Sequence, residues 1–338
     1  MTSKEITTLK GLLEEPKKIV IVPHKNPDGD AIGSTLALHH FLKAKGHDCH
    51  VVSPNDYPEF LKWLPGEEEV IKFENETEKA TQLVNEAELI FTLDFNHFSR
   101  SGLMEEVLSK ASATYVMIDH HQQPDDYAKF MYSDISASST CQLVYHFFEK
   151  LEETDKITPE IATCLYIGVM TDTGSFRFPS TTSITHRVIA DLIDKGAENA
   201  LIHQQTFDTN SYERMQLLGV ALNNLKVLKD CNTAYISLSQ KELDDHKFKK
   251  GDTEGFVNYG LSVKGIVFAA IFIEHKAENI IKISLRSKGD FDVNQFARKY
   301  FDGGGHINAA GGKSDKNLQE TIAYFEEIVK KHQKELNS

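Results

Sequence analysis

Residues 18–34 read KIVIVPHKNPDGDAIGS, and the order of residue types in this stretch sets the fold. Lys18–Pro23 is an apolar run that suits a strand buried on both faces. A helical pattern, AIGSTLALHHFLKAKG, runs from Ala31 to Gly46, where the glycine stops it. Between the two, a Pro- and Gly-containing turn carries His24, Asp28 and Asp30. Packing alone gives no reason to collect three ionisable groups at the end of a buried strand.

The same pattern recurs downstream. Short strands are expected at Cys49–Val52, Leu89–Asp94 (LIFTLD) and Tyr115–Asp119 (YVMID). Helices are expected near Thr140–Leu151 and Pro159–Met170, then through Thr185–Lys195, Asn199–Phe207 and Tyr212–Leu222. Apolar strands alternating with helices predict an α/β domain with a parallel sheet covered by helices on both faces. Beyond residue 216 the pattern changes. Lys226–Leu228, Ala234–Leu238, Ile266–Glu274 and Ile280–Arg286 read as strands of a smaller mixed sheet, covered by helices near Val293–Tyr300 and Leu318–Lys331. The expected division is a domain over 1–190, a helical linker over 191–215 and a second α/β domain over 216–338, with the active-site cleft between the domains.

Composition narrows the class. The 338 residues carry a formal charge of −13, which argues against gripping long duplex nucleic acid, since that needs a basic footprint. A small anionic substrate held by a local cluster or by metal ions is compatible with it. The four cysteines are scattered and read as reduced core thiols of a cytoplasmic protein. The longest apolar run, Ile266–Ile273, is far below the ~20 residues a membrane span needs, so no membrane partner is expected.

Where the expected strands end, the chemistry collects. His24, Asp28 and Asp30 follow the first strand, Asp94 closes LIFTLD, and Asp119, His120 and His121 close YVMID. Asp172 lies in GVMTDTGSFRF, just past an apolar helix. In open α/β sheets ligands gather outside the carboxyl ends of the strands. Taken singly, NPDGD is a turn sequence and a strand-end aspartate can cap a helix. A calcium-loop reading fails, because its fifth and twelfth positions would be Ile32 and His39. Several carboxylates converging on one rim repel one another, and a divalent cation removes that penalty. Carboxylate plus imidazole without thiolate suits Mn²⁺ or Mg²⁺, and the imidazoles tilt the choice toward Mn²⁺. The number of donors exceeds one ion's needs and fits two ions about 3.5–4 Å apart.

The ordered motifs HKNPDGDAIGS, TLDF, DHH and TDTGSFRF resemble those of the DHH-family phosphoesterases, and FDGGGHINAAG resembles the associated DHHA1 domain. They span residues 24–312, in an order most similar to short bacterial members of the nanoRNase/pAp-phosphatase type. The resemblance implies a Mn-dependent hydrolase that degrades short single-stranded oligoribonucleotides to mononucleotides and dephosphorylates 3′-phosphoadenosine 5′-phosphate (pAp). It implies a hydroxide nucleophile activated by two metals, and a homodimer. Within it, His24 and Asp28 would hold one Mn²⁺, Asp30, His120 and Asp172 the other, and Asp94 would bridge them. Asp119 would orient a neighbouring imidazole, and His121 would face the substrate phosphate.

In the second domain, Gly303, Gly304 and Gly305 read as a loop letting backbone N–H groups approach an anion, helped by a following helix N-terminus. His306 and Arg286 would add donors to substrate phosphate, and Arg100 and Arg177 are further candidates for phosphate contacts. The competing readings are a phosphodiesterase for pApA or cyclic dinucleotides, a pyrophosphatase or polyphosphatase, and a non-catalytic nucleotide sensor.

Overall fold

The apolar run at the start of the chain forms β1, Lys18–Val22, with all but its first residue buried. It belongs to a computed structural model that describes residues 1–337. With β2 (Asp48–Ser53), β3 (Ile71–Lys72), β4 (Leu89–Leu93), β5 (Thr114–Asp119) and β6 (Phe130–Ser133) it builds a sheet of order β3-β2-β1-β4-β5-β6. Every pairing in it is parallel. The order reverses between β1 and β4, and that switch point opens a crevice at the carboxyl ends of the two strands.

Alternate residues of each strand feed two cores. Ile19, Ile21, Phe91, Val116 and Ile118 pack under α1 (Ser3–Leu12), α2 (Gly29–Ala44), α5 (Thr140–Leu151) and α6 (Pro159–Asp172). Val20, Val22, Ile90 and Tyr115 pack under α3 (Thr77–Glu86) and α4 (Glu105–Lys110). Helices α7 (Ser183–Asp194) and α8 (Asn199–Phe207) finish this compact unit, which spans Met1–Thr209. Helices α2 and α6 pack closely because small residues face the contact. A methyl group at Gly168 would fall 2.1 Å from Cys141 Sγ and 2.9 Å from Asp30 Oδ1.

Against the sequence expectation, α2 begins two residues earlier, at Gly29. The reason is that Asp28 is its N-cap, with Oδ1 accepting from the N–H groups of Asp30 and Ala31. Asp172, expected just past a helix, is the last residue of α6. Strands β3 and β6 and helices α1, α3 and α4 come in addition to the expected elements.

The second unit starts at Asn210. It contains α9 (Tyr212–Asn223), β7 (Lys226–Leu228), β8 (Thr233–Leu238), α10 (Gln240–Asp245), α11 (Phe256–Ser262), β9 (Phe268–His275) and β10 (Ile280–Ser287). It continues with α12 (Val293–Tyr300), β11 (Gly304–His306), β12 (Ala309–Ser314), α13 (Leu318–Lys331) and α14 (Gln333–Leu336). The sheet order is β11-β12-β10-β9-β8-β7, antiparallel except for the parallel β8–β9 pair.

The glycine-rich segment differs from its expected form. It is a β-hairpin, β11–β12, and the next helix, α13, begins only at Leu318, so no helix N-terminus follows the glycines directly. Gly303 is needed by the hairpin itself, because a Cβ there would lie 1.9 Å from Gly311 O.

Candidate metal centre

Asp94 follows β4 at the switch point and adopts a left-handed backbone, φ 63°. Aspartate tolerates that conformation better than most residues. Its amide donates to Ile118 O of the neighbouring strand, and the residue is 2% exposed. The two carboxylate oxygens face different partners. Oδ2 lies 3.3 Å from His24 Nε2, and Oδ1 lies 3.6 Å from His120 Nε2 and 3.6 Å from His121 Nδ1.

Around it, ligand atoms of His24, Asp28 and Asp94 lie within 4.8 Å of one another, as do those of Asp30, His120 and Asp172. A third such group joins Asp94, Asp119 and His121. All the N-terminal residues singled out as metal ligands therefore come together on one rim. Asp30 is 1% exposed and accepts from two amides at the start of α5, Thr140 N at 2.6 Å and Cys141 N at 2.8 Å. The Thr140 hydroxyl donates to Asp94 Oδ1 at 2.9 Å.

The donor set fits a divalent cation on its own geometry. His24 Nδ1 is 2.8 Å from Lys25 O, and His120 Nδ1 is 3.3 Å from Ala137 O. A carbonyl only accepts, so each ring carries its proton at Nδ1 and turns Nε2 toward carboxylates. From His120 Nε2, Asp172 Oδ2 is 3.5 Å away and Asp30 Oδ2 is 3.8 Å away. A neutral imidazole would set its lone pair against anionic oxygens there. Either a second ring proton or a cation between the groups removes the repulsion. An anchored Nδ1–H is also the usual setting of a metal-binding histidine.

The metal-free chain takes the proton. Burial alone would lower His120, but the charges of Asp172, Asp94 and Asp30 outweigh it and push the imidazole up to about 9. Burial opposes protonation of His24 too, yet its hydrogen bond to Asp94 and the charge of Asp28 raise it. Burial and the neighbouring charges of Asp94 and Asp172 hold Asp30 well above the usual carboxylate range, with the charge of His120 pulling the other way. Asp94 is low despite its burial, because of the His24 hydrogen bond and the charges of His121 and His24.

Asp119, fully buried at the end of β5, accepts from His121 Nδ1 at 2.7 Å and from the His121 amide at 3.0 Å. The bond to Nδ1 fixes that ring's tautomer, with a proton at Nδ1. Arg100 sits on the short 3-10 helix after β4. Its carbonyl accepts from Lys25 N at 2.7 Å, and its charge is felt by His24. Arg177 is exposed, and its Nε donates back to Gly174 O at 2.7 Å.

In the second unit, Arg286 of β10 and His306 of β11 both pair with Ala309 of the intervening β12. Residues directly opposite in antiparallel strands project to the same face, so the two side chains share one rung. Asn294 Oδ1 of α12 accepts from the Gly305 amide at 2.9 Å and braces the hairpin. Sequence reasoning missed Thr140. The available signal was local only: Ser139 caps α5, its Oγ accepting from Gln142 N at 3.0 Å.

A doubly wound sheet gathering carboxylates and imidazoles at its switch point, followed in the chain by a mixed-sheet unit, fits a hydrolase of phosphate esters. The chain belongs to the DHH family: residues 18–169 match the DHH family, N-terminal domain, and residues 232–331 match the DHHA1 domain. It is similar to the bifunctional oligoribonuclease and PAP phosphatase NrnA of Thermus thermophilus, 33% identical over 87% of this chain and 83% of that one. The protein of the same name from Bacillus subtilis is 27% identical over 93% of this chain and 96% of that one. The crystal structure of an exopolyphosphatase-related protein from Bacteroides fragilis superposes with a TM-score of 0.96 at 38% identity, covering 100% of this chain and 98% of that one.

Proposed function

We propose that the protein hydrolyses short oligoribonucleotides to mononucleotides and removes a phosphate from pAp, using two divalent cations, Mn²⁺ foremost, at the β1/β4 rim. The observation that supports this most strongly is the pairing of a clustered rim of carboxylate and imidazole donors with similarity to two NrnA proteins over most of the chain. His24 and Asp28 would hold one cation and Asp30, His120 and Asp172 the other, with Asp94, whose oxygens face His24 and His120, available to both. When bound, such ions lower the pKa of water and stabilise charge on phosphoryl oxygens.

The protein's own groups orient the reaction. Asp94 fixes the spacing of the two half-sites. Asp119 holds His121 so that Nε2 can pass a proton toward the departing ester oxygen. Arg100 adds positive charge beside His24 for an anionic substrate. The C-terminal unit binds the nucleotide end, with Arg286 and His306 contacting phosphate from one face of the sheet and the Gly303–Gly305 hairpin keeping the backbone slim. The likeness to the two NrnA proteins favours short single strands as substrates.

Hydrolysis of phosphoanhydrides is a second reading, favoured by the likeness to the exopolyphosphatase-related structure. One assay separates the two. Phosphate and mononucleotide release is followed from pAp, pApA, a cyclic dinucleotide, a short RNA, a long RNA and polyphosphate, each with Mn²⁺ and with chelator. The proposal expects Mn²⁺-dependent turnover of pAp and short RNA well above the rest. Dominant turnover of polyphosphate would replace it with the second reading.

A further inference from the structure

We propose that Thr140 is a positioning residue that locks the Asp30 and Asp94 carboxylates in one geometry for cation binding. This rests on the metal-dependent reading above. Thr140 joins the two groups through different atoms: its amide donates to Asp30 Oδ2 at 2.6 Å and its hydroxyl donates to Asp94 Oδ1 at 2.9 Å. Its partners lie 110 and 46 residues away in sequence.

Helix formation does not require that hydroxyl. Ser139 is the N-cap of α5, and Thr140 occupies the first helical position, where its amide has no partner within the helix. A fully buried hydroxyl is costly to keep unless it is hydrogen-bonded, and a side chain of the same shape without the oxygen would fill the space equally well. Thr140 nevertheless directs its single O–H at the carboxylate that reaches both half-sites.

The terminal torsion of an aspartate is broad, so a carboxylate without fixed donors samples many orientations. Asp30 has its orientation set by two amides of the α5 N-terminus, where the helix dipole also favours negative charge. Asp94 has its orientation set on the Oδ1 side by Thr140. Both carboxylates retain lone pairs, since each oxygen can accept more than one bond. The pair is thus arranged before any cation arrives. Ligand-supporting hydrogen bonds of this kind typically change metal affinity about 10–100-fold when removed.

The test uses the full-length chain. Mn²⁺ is titrated calorimetrically into wild type, Thr140→Val and Thr140→Ser, with the thermal midpoint of each measured in chelator. Thr140→Val should weaken Mn²⁺ binding about 10–100-fold, with KM for pAp at saturating Mn²⁺ unchanged, and Thr140→Ser should restore binding to within about threefold of wild type. Unchanged Mn²⁺ affinity in Thr140→Val, or equal loss in Thr140→Ser, would overturn the proposal. Should Thr140→Val not fold, Thr140→Ala takes its place, and failure of both to fold would make the residue's role structural and the proposal wrong. Wild-type protein that binds Mn²⁺ but hydrolyses none of the substrates would sink the activity reading alone, leaving Thr140 to be judged by the titration. Wild-type protein that binds no Mn²⁺ would remove both.

Discussion

The rim at the β1/β4 switch point and the Arg286–His306 rung of the second sheet are built on different principles. At the rim, Asp30, Asp94, Asp119 and His120 are all buried, the carboxylates are held by amides, a hydroxyl and imidazoles, and Asp30, Asp94 and His120 are shifted from their ordinary titration. At the rung, Arg286 and His306 are half-exposed side chains on neighbouring ladders of a twisted sheet. Buried groups in fixed orientation suit a chemical step, where misplacement by a fraction of an ångström is costly. Half-exposed donors suit recognition, where water shares the work and a lost contact weakens binding without stopping the reaction. The two regions should therefore respond differently to mutation.

The largest effect is expected from Asp94→Asn, which keeps a side chain suited to the left-handed backbone at this position. Losing the group shared by both half-sites should lower kcat on the order of 10³-fold, the upper end for loss of one electrostatic group. Circular dichroism should remain that of wild type. Retention of a tenth of the wild-type rate would make the shared role of Asp94 untenable.

Protonation offers the next test of the rim. His24 and His120 are raised in the metal-free chain, so protons compete with cations, and Mn²⁺ affinity should increase as pH rises from about 6.5 toward about 9. Stability without metal should move the other way. A histidine whose folded pKa lies near 9 against 6.5 unfolded stabilises the fold fully below 6.5, and that contribution is lost as pH rises through about 9. Thermal midpoints in chelator should fall over that interval, and saturating Mn²⁺ should remove the decline. A midpoint that rises with pH in chelator would contradict the assignment of the rim charges.

Substitutions on the rung should be milder. Arg286→Ala and His306→Ala are each expected to raise KM for pAp about tenfold while leaving kcat near wild type, the signature of lost uniform binding. A fall in kcat with unchanged KM would move these residues from recognition to chemistry.

The smallest effect concerns a histidine away from both regions. His39 of α2 is buried beside His40, Glu69 and Lys43, and burial pulls its imidazole down to about 4. A depressed histidine favours the neutral form, so its contribution is present above 6.5 and is lost as pH falls through about 4. His39→Phe should flatten the acid-side decline of the thermal midpoint without affecting hydrolysis at neutral pH. Together with His120 it would give two buried histidines of opposite sign, separating the effect of carboxylate neighbours from that of burial.

Much of the rim could be read from the sequence because apolar strands end abruptly in ionisable residues. Leu89–Leu93 is followed at once by Asp94, and β5 ends on Asp119 with His120 and His121 next. Helices with clear caps were equally legible, as Thr140–Leu151 and Leu318–Lys331 show. Two-residue β3 and the partly buried β6 carry too little apolar pattern to stand out from loop. The hairpin at Gly304–Ser314 was hidden because glycine and alanine strands lack the branched side chains that mark a sheet. Thr140 could not be found from its neighbours, since its partners come from the residue after β4 and from α2, across the fold.

The central claim is that residues from distant points of the chain gather around a pair of cations joined by Asp94. Anomalous diffraction at the manganese edge, from crystals of the full-length protein grown with Mn²⁺, tests it directly. The account predicts two peaks about 3.5–4 Å apart, each within bonding distance of a different Asp94 oxygen. No peak at the rim, or one ion that Asp94 does not touch, would contradict it.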